Sequence, residues 1–168
     1  CIAASMQIAE AQGFIYTEDF SAGLNACPFS IDSSMAGADT SATVSGGVMH
    51  FAYTGTEWAN TPMLVADNVG PDCTIELTVP DVSAMQFDQH GVYVFVRIVF
   101  PDSNSLTVRA GQVGASEIRL QYFSTNDLYG PGDQKNLPWS TFTTSMGMKI
   151  TMTPTSLLVQ YSADGGPW

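Results

Sequence analysis

The segment CTIELTV, residues 73–79, alternates without a break. Cys73, Ile75, Leu77 and Val79 fall on one side, and Thr74, Glu76 and Thr78 on the other. Successive side chains leave a pleated backbone in opposite directions, so a period of two marks a strand with one buried face. The pattern recurs along the chain. GMKITMT aims Met148, Ile150 and Met152 one way, and TSLLVQYS does the same with Leu157, Val159 and Tyr161. SEIRLQYFS sets Ile118, Leu120 and Tyr122 against Glu117, Arg119, Gln121 and Phe123. GFIYT, GGVMHFAYT, TPMLVA and SLTVRA are shorter cases. GVYVFVRIVF is apolar on both sides apart from Arg97, which predicts a central strand covered twice. Between these runs stand DNVGPD, FPDSNS and NDLYGPGDQKN, rich in turn-forming residues. Roughly nine or ten strands punctuated in this way predict an all-β fold, an antiparallel two-sheet β-sandwich.

Only residues 3–12, AASMQIAEAQ, depart from this reading. Ala, Met, Gln and Glu favour helix, and Gly13 would end it. Residues 1–12 are therefore read as a leader or N-terminal extension, and 13–168 as one sandwich domain, long enough to bury a core. The A-E-A of CIAASMQIAEAQG has the small-x-small form of an export-signal cleavage site. Cys1 fits either the lipid-bearing first residue of a lipoprotein or a trimmed end. Cys27 and Cys73 are either a disulfide of an exported protein or two buried thiols; no CxxC spacing points to zinc or redox chemistry.

The net charge is −11, from 16 acids against five cations: Arg97, Arg109, Arg119, Lys135 and Lys149. The cations are scattered along the sequence and form no stripe. Nucleic-acid binding needs clustered cations that displace counterions, so it is not expected. The apolar runs are too short to span a bilayer, for which a helix needs about 20 residues. Divalent cations and polysaccharides remain compatible partners.

YTEDFSAGLN resembles the opening motif of the concanavalin A-like lectin and glucanase superfamily. VSGGVMHFAY is similar to the strand that follows there, and MKITMTPTSLLVQYSADGGPW resembles the family's closing pair. The resemblance covers residues 14–168 as a pattern. It implies a jelly roll with a convex and a concave sheet, glycans bound on the concave face or rim loops, and in many members a structural calcium ion. Glu18 and Asp19 match the acidic part of the opening motif and are the implied Ca²⁺ ligands, the alternative being that Asp19 caps a turn through backbone N–H groups. The family's last strand, which would follow YSADGGPW, is not in the sequence. Asp164-Gly165-Gly166 supplies the residues of a hairpin loop, so a returning strand is expected, either encoded further along the gene or given by a neighbouring copy through strand addition, with residues 1–13 as candidate donor and a homo-oligomer or polymer as the result.

The β-glucan-cleaving members carry E-x-D-x-E or E-x-D-x-x-E on one strand, which aims acid and nucleophile into the cleft. Glu10, Glu18, Glu57, Glu76 and Glu117 begin no such cluster, and no G-x-S-x-G, H-E-x-x-H or P-loop occurs. A catalytic role is not expected. Sugar recognition uses aromatic faces with amide and charged groups beside them. Trp58 in TGTEWANTP and Tyr129 in NDLYGPGD are candidates because polar loops give their rings little to pack on. Tyr93, Phe95 and Arg97 share one side of a strand, either as a glycan platform or as packing under a loop, and Trp139 is a further candidate. Three functions compete: a secreted or cell-surface non-catalytic glycan-binding domain, a structural subunit of an extracellular filament, sheath or adhesin, and a fragment of a larger glycoside-active enzyme.

Overall fold

The computed structural model describes residues 2–10, 15–18, 29–34, 36–45, 47–54, 63–66, 72–82, 93–100, 102–113, 117–125 and 131–168. The described strands are β1 (Ile2–Glu10), β2 (Ile15–Glu18), β3 (Phe29–Asp32), β4 (Thr40–Ser45), β5 (Val48–Tyr53), β6 (Met63–Ala66), β7 (Cys73–Val79), β8 (Tyr93–Val99), β9 (Ser105–Val113), β10 (Glu117–Ser124), β11 (Asp133–Pro138), β12 (Met146–Thr153) and β13 (Ser156–Ala163). All pairings among them are antiparallel. One sheet runs β13-β12-β7-β1-β5-β4, with β2 also on β1; a second is the meander β11-β10-β9-β8, and β3 pairs with β6.

The expected inward faces meet between the two large sheets. Ile75, Leu77 and Val79 of β7 and Met146, Met148, Ile150 and Met152 of β12 pack with Val96 of β8, Leu106, Val108 and Ala110 of β9, and Ile118 and Leu120 of β10. Leu106, Ile118, Met146, Met148, Ile150 and Met152 are almost wholly buried. Removing each such side chain from water stabilises the fold by about 1.5–3 kcal/mol. The chain is thus the antiparallel β-sandwich that its alternation predicts.

Two expectations are corrected. Residues 3–12 were expected to be helical, yet Ile2–Glu10 is a strand between β5 and β7. Ser5 to Glu10 pair with Thr78 to Cys73, and Ile2 to Ala4 pair with Phe51 to Met49. Helix propensities differ by only a few tenths of a kcal/mol among these residues, and ladders with two neighbours outweigh them. The proposed strand donor is therefore already engaged within its own sheet. GVYVFVRIVF was expected to be covered on both faces; among the described strands β8 instead ends the meander, with Arg97 and Val99 on the side away from the core and exposed.

Local turn chemistry sets the register of the meander. Between β8 and β9, Phe100 N–H donates to the Asn104 carbonyl and Ser103 N–H to that of Phe100. Asp102 Oδ1 accepts from the Asn104 amide N–H, while Ser103 takes a left-handed φ of 68°. Before β11, Gly132 has φ 86°, and a Cβ there would stand 2.7 Å from the Tyr122 carbonyl oxygen. No other residue suits both that angle and that approach.

The final segment also differs from expectation. Asp164 and Gly165 adopt the left-handed angles that their sequence suggested, φ 53° and 73°. The chain then folds Trp168 back over β12. Its ring fills the place a side chain at Gly147 would take, since an added Cβ would lie 2.7 Å from Cη2. Lys149 Nζ sits 5.6 Å from the ring centroid and 2.6 Å from Glu76 Oε1, its cross-strand partner on β7.

Candidate functional site

The core side of β8 is Val94, Val96 and Ile98. Phe95 and Arg97 consequently belong to the opposite, outward side of the meander. The registers arrange that side in rows. Phe95 stands opposite Arg109, Arg109 opposite Gln121, and Gln121 opposite Gln134. One row over, Tyr93, Gly111, Arg119 and Asn136 align; on the other flank, Arg97, Thr107 and Phe123 do. The scattered cations of the sequence are thus gathered: Arg97, Arg109 and Arg119 share one face. Among the described outward positions of β8 to β11 the only carboxylate is Glu117, so three cations less one anion leave a local charge of +2. The whole chain carries −11.

Arg109 is the fixed centre of the face. Its Nε and Nη2 donate to Gln121 Oε1 at 3.0 and 2.7 Å. Its guanidinium carbon lies 5.3 Å from the Phe123 ring centroid, within cation–π range. Phe123 remains 40% exposed, so its ring also meets solvent. Arg119 Nε donates to Asn136 Oδ1 at 3.2 Å, and Asn136 Nδ2 donates to Glu117 Oε2 at 3.1 Å. Arg97 is exposed. Aromatic surface, guanidinium donors and side-chain amides therefore stand within a few residues of one another on one sheet face. Such a face can stack on a ring and hydrogen-bond to hydroxyl or acidic substituents around it.

Of the candidates read from sequence, Phe95 and Arg97 lie on this face, and Tyr93 occupies its register position on β8. Trp139 opens the 3-10 turn Trp139–Thr141 that follows β11. Trp58 and Tyr129 lie outside the described residues. The sequence reading did not select Arg109, Arg119, Gln121 or Asn136. Alternation had assigned Arg119, Gln121 and Phe123 to one side, but only pairing with β9 brings Arg109 among them.

For calcium, Glu18 ends β2 opposite Met6, and Asp19 lies outside the described residues. Among the described residues no three His, Cys, Asp or Glu side chains converge on one point. Cys73 is buried on β7, and its suggested partner Cys27 lies outside the described residues.

Asp164 forms a second polar constellation. Its carboxylate accepts from the Thr143, Thr144 and Ser145 amides and from the Thr143 and Thr144 hydroxyls, at 2.6 to 3.1 Å. The Thr143 hydroxyl, then the Thr144 and Ser145 amides, hold this carboxyl well below the usual carboxylate range. With its oxygens met by five donors, it serves as a cap that ties the 143–145 turn to the end of β13. No described helix is long and apolar enough to cross a membrane. No protein-family model matches the chain, and no curated protein or solved structure matches it.

Proposed function

We propose that the chain is a non-catalytic carbohydrate-binding β-sandwich domain, secreted or displayed at the cell surface. Its binding platform is the outward face of the β8–β11 meander. The observation that carries this reading is the central row, in which Phe95, Arg109 and Gln121 stand side by side with Phe123 under the guanidinium. Sugars offer apolar ring faces and a rim of hydroxyls, and this row offers an aromatic surface with donors and acceptors already oriented. The resemblance of YTEDFSAGLN and YSADGGPW to the concanavalin A-like superfamily supports the same reading, as does the lack of a paired-carboxylate cluster in the sequence.

The test is binding to an array of plant, algal and bacterial glycans, followed by titration of the best hit against Gln121→Ala and Phe123→Ala. Gln121→Ala removes the acceptor that holds Arg109, a charged hydrogen bond worth about 1.5–3 kcal/mol, so affinity should fall about tenfold or more. Phe123→Ala should weaken binding as well, while both variants keep the wild-type circular-dichroism spectrum. An array blank across all three sources would sink the proposal.

A further inference from the structure

Resting on the glycan-binding reading above, we infer that the ligand of this face is an acidic polysaccharide, one bearing carboxylate or sulfate groups at intervals along its chain. Arg97, Arg109 and Arg119 do not merely share the face; the registers place them on a diagonal. Arg109 lies one strand over and two residues along from Arg97, and Arg119 stands in the same relation to Arg109. Strands about 4.8 Å apart and a rise of about 3.3 Å per residue set successive α-carbons about 8 Å apart, and the whole diagonal about 16 Å long. Arg109 reaches across to Gln121 on β10 and Arg119 to Asn136 on β11, so these two guanidiniums lie side by side and are not drawn to one point. A chain with repeated negative groups can meet all three in succession.

The choice of cation agrees. The diagonal is built wholly from arginine, whose planar fork matches a carboxylate or sulfate oxygen pair and whose charge is permanent. The two lysines are elsewhere: Lys149 pairs with Glu76 on the other sheet, and Lys135 aligns with Leu120 on β11. Gln121 on Arg109 and Asn136 on Arg119 are neutral amides that fix direction without themselves adding negative charge. Phe95 and Phe123 flank the middle cation and offer surface to sugar rings between acidic groups.

Long-range electrostatics favour the same ligand class. A chain of net charge −11 repels a polyanion over most of its surface, so the meander face, locally positive, is where such a ligand is steered. Three cations displace too few counterions for tight nucleic-acid binding, and among the described residues no further lysine or arginine extends the face.

The experiment compares binding of the intact chain to four groups of probe by calorimetry at low and at physiological salt. The groups are neutral polymers (β-glucan, xylan, agarose), carboxylated ones (alginate, polygalacturonate), sulfated ones (carrageenan, chondroitin sulfate), and non-sugar polyanions (polyglutamate, single-stranded DNA). The expected result is binding to carboxylated or sulfated polysaccharides, weakened by salt. Arg97→Gln and Arg119→Gln should each lose about tenfold, as one charged hydrogen-bond pair is removed. Arg97 is exposed, so its variant keeps the fold and reads charge alone. The carboxylated and sulfated arms distinguish which acidic group is bound.

Salt-insensitive binding to the neutral polymers alone would overturn the acidic ligand and leave the glycan reading standing. No binding to any polysaccharide would remove both. Equal affinity for polyglutamate or DNA, or polyuronate binding unchanged by both arginine substitutions, would also overturn the inference.

Discussion

At Asp164 a single carboxylate closes one end of the sandwich. The sequence reading took Asp164-Gly165-Gly166 for the loop of a hairpin that should return as a strand. The left-handed angles at Asp164 and Gly165 agree with the loop chemistry, but the side chain has another employment. Five donors from Thr143, Thr144 and Ser145 converge on it, and its own N–H donates to the Ser145 carbonyl. Sequence could not have shown this, because the donors lie about twenty residues upstream and meet Asp164 only through the β12–β13 hairpin. Since its folded pKa is depressed below the ordinary 3.8, the stabilisation is complete above that pH and is lost as pH falls below it toward the folded value. Asp164→Asn should therefore lower the melting temperature at pH 7 by about 2–4 °C. The gap between variant and wild type should narrow as the scan moves to pH 3 and below. Calorimetry at the two pH values checks this; a gap that widens in acid would refute the charge-based account.

At the scale of elements, alternation revealed which residues share a face but not which strands are neighbours. It assigned Met148, Ile150 and Met152 inward and Arg119 and Gln121 outward, and the structure agrees. It could not place β9 beside β10, so the arginine diagonal was invisible. It also misread β1, whose alanines and glutamine favour helix in isolation, because the decisive interactions are ladders to β5 and β7, 45 to 73 residues away in sequence. A proline inside β1 tests that position directly. Ile8 pairs with both Ile75 of β7 and Tyr16 of β2, so Ile8→Pro removes a donor within a strand that has neighbours on each side. The orphaned acceptor and the ring clash should cost about 1–3 kcal/mol, read as a lower urea midpoint. An unchanged midpoint would mean that β1 contributes nothing to the sheet.

Across the whole molecule, the two sheets have different duties, and one bond joins them beneath the proposed platform. Tyr161 of β13 reaches through the core and donates its hydroxyl to the Arg109 carbonyl at 3.3 Å. Burial pushes this phenol far above its usual range, so it stays protonated and remains a donor at neutral pH. The bond lies on the backbone of the residue whose side chain centres the outward face, and it fixes the spacing of the layers there. Tyr161→Phe keeps the ring in the core and deletes the hydroxyl, which also meets the Gln121 backbone. At pH 7 it should lower stability by about 1 kcal/mol and leave glycan affinity within a factor of about two, since the guanidinium is held on the outward face by Gln121 and Phe123. The raised pKa sets the alkaline behaviour. The contribution of neutral Tyr161 is complete below its ordinary value of 10.0 and is lost as pH rises beyond it, because the unfolded phenol ionises first. Wild-type stability should therefore fall more steeply than that of Tyr161→Phe above pH 10, and the two denaturation midpoints should converge and then cross. Parallel curves would show that the hydroxyl is not buried in the folded chain. A large affinity loss at pH 7 with unchanged stability would place Tyr161 in the binding machinery instead of beneath it.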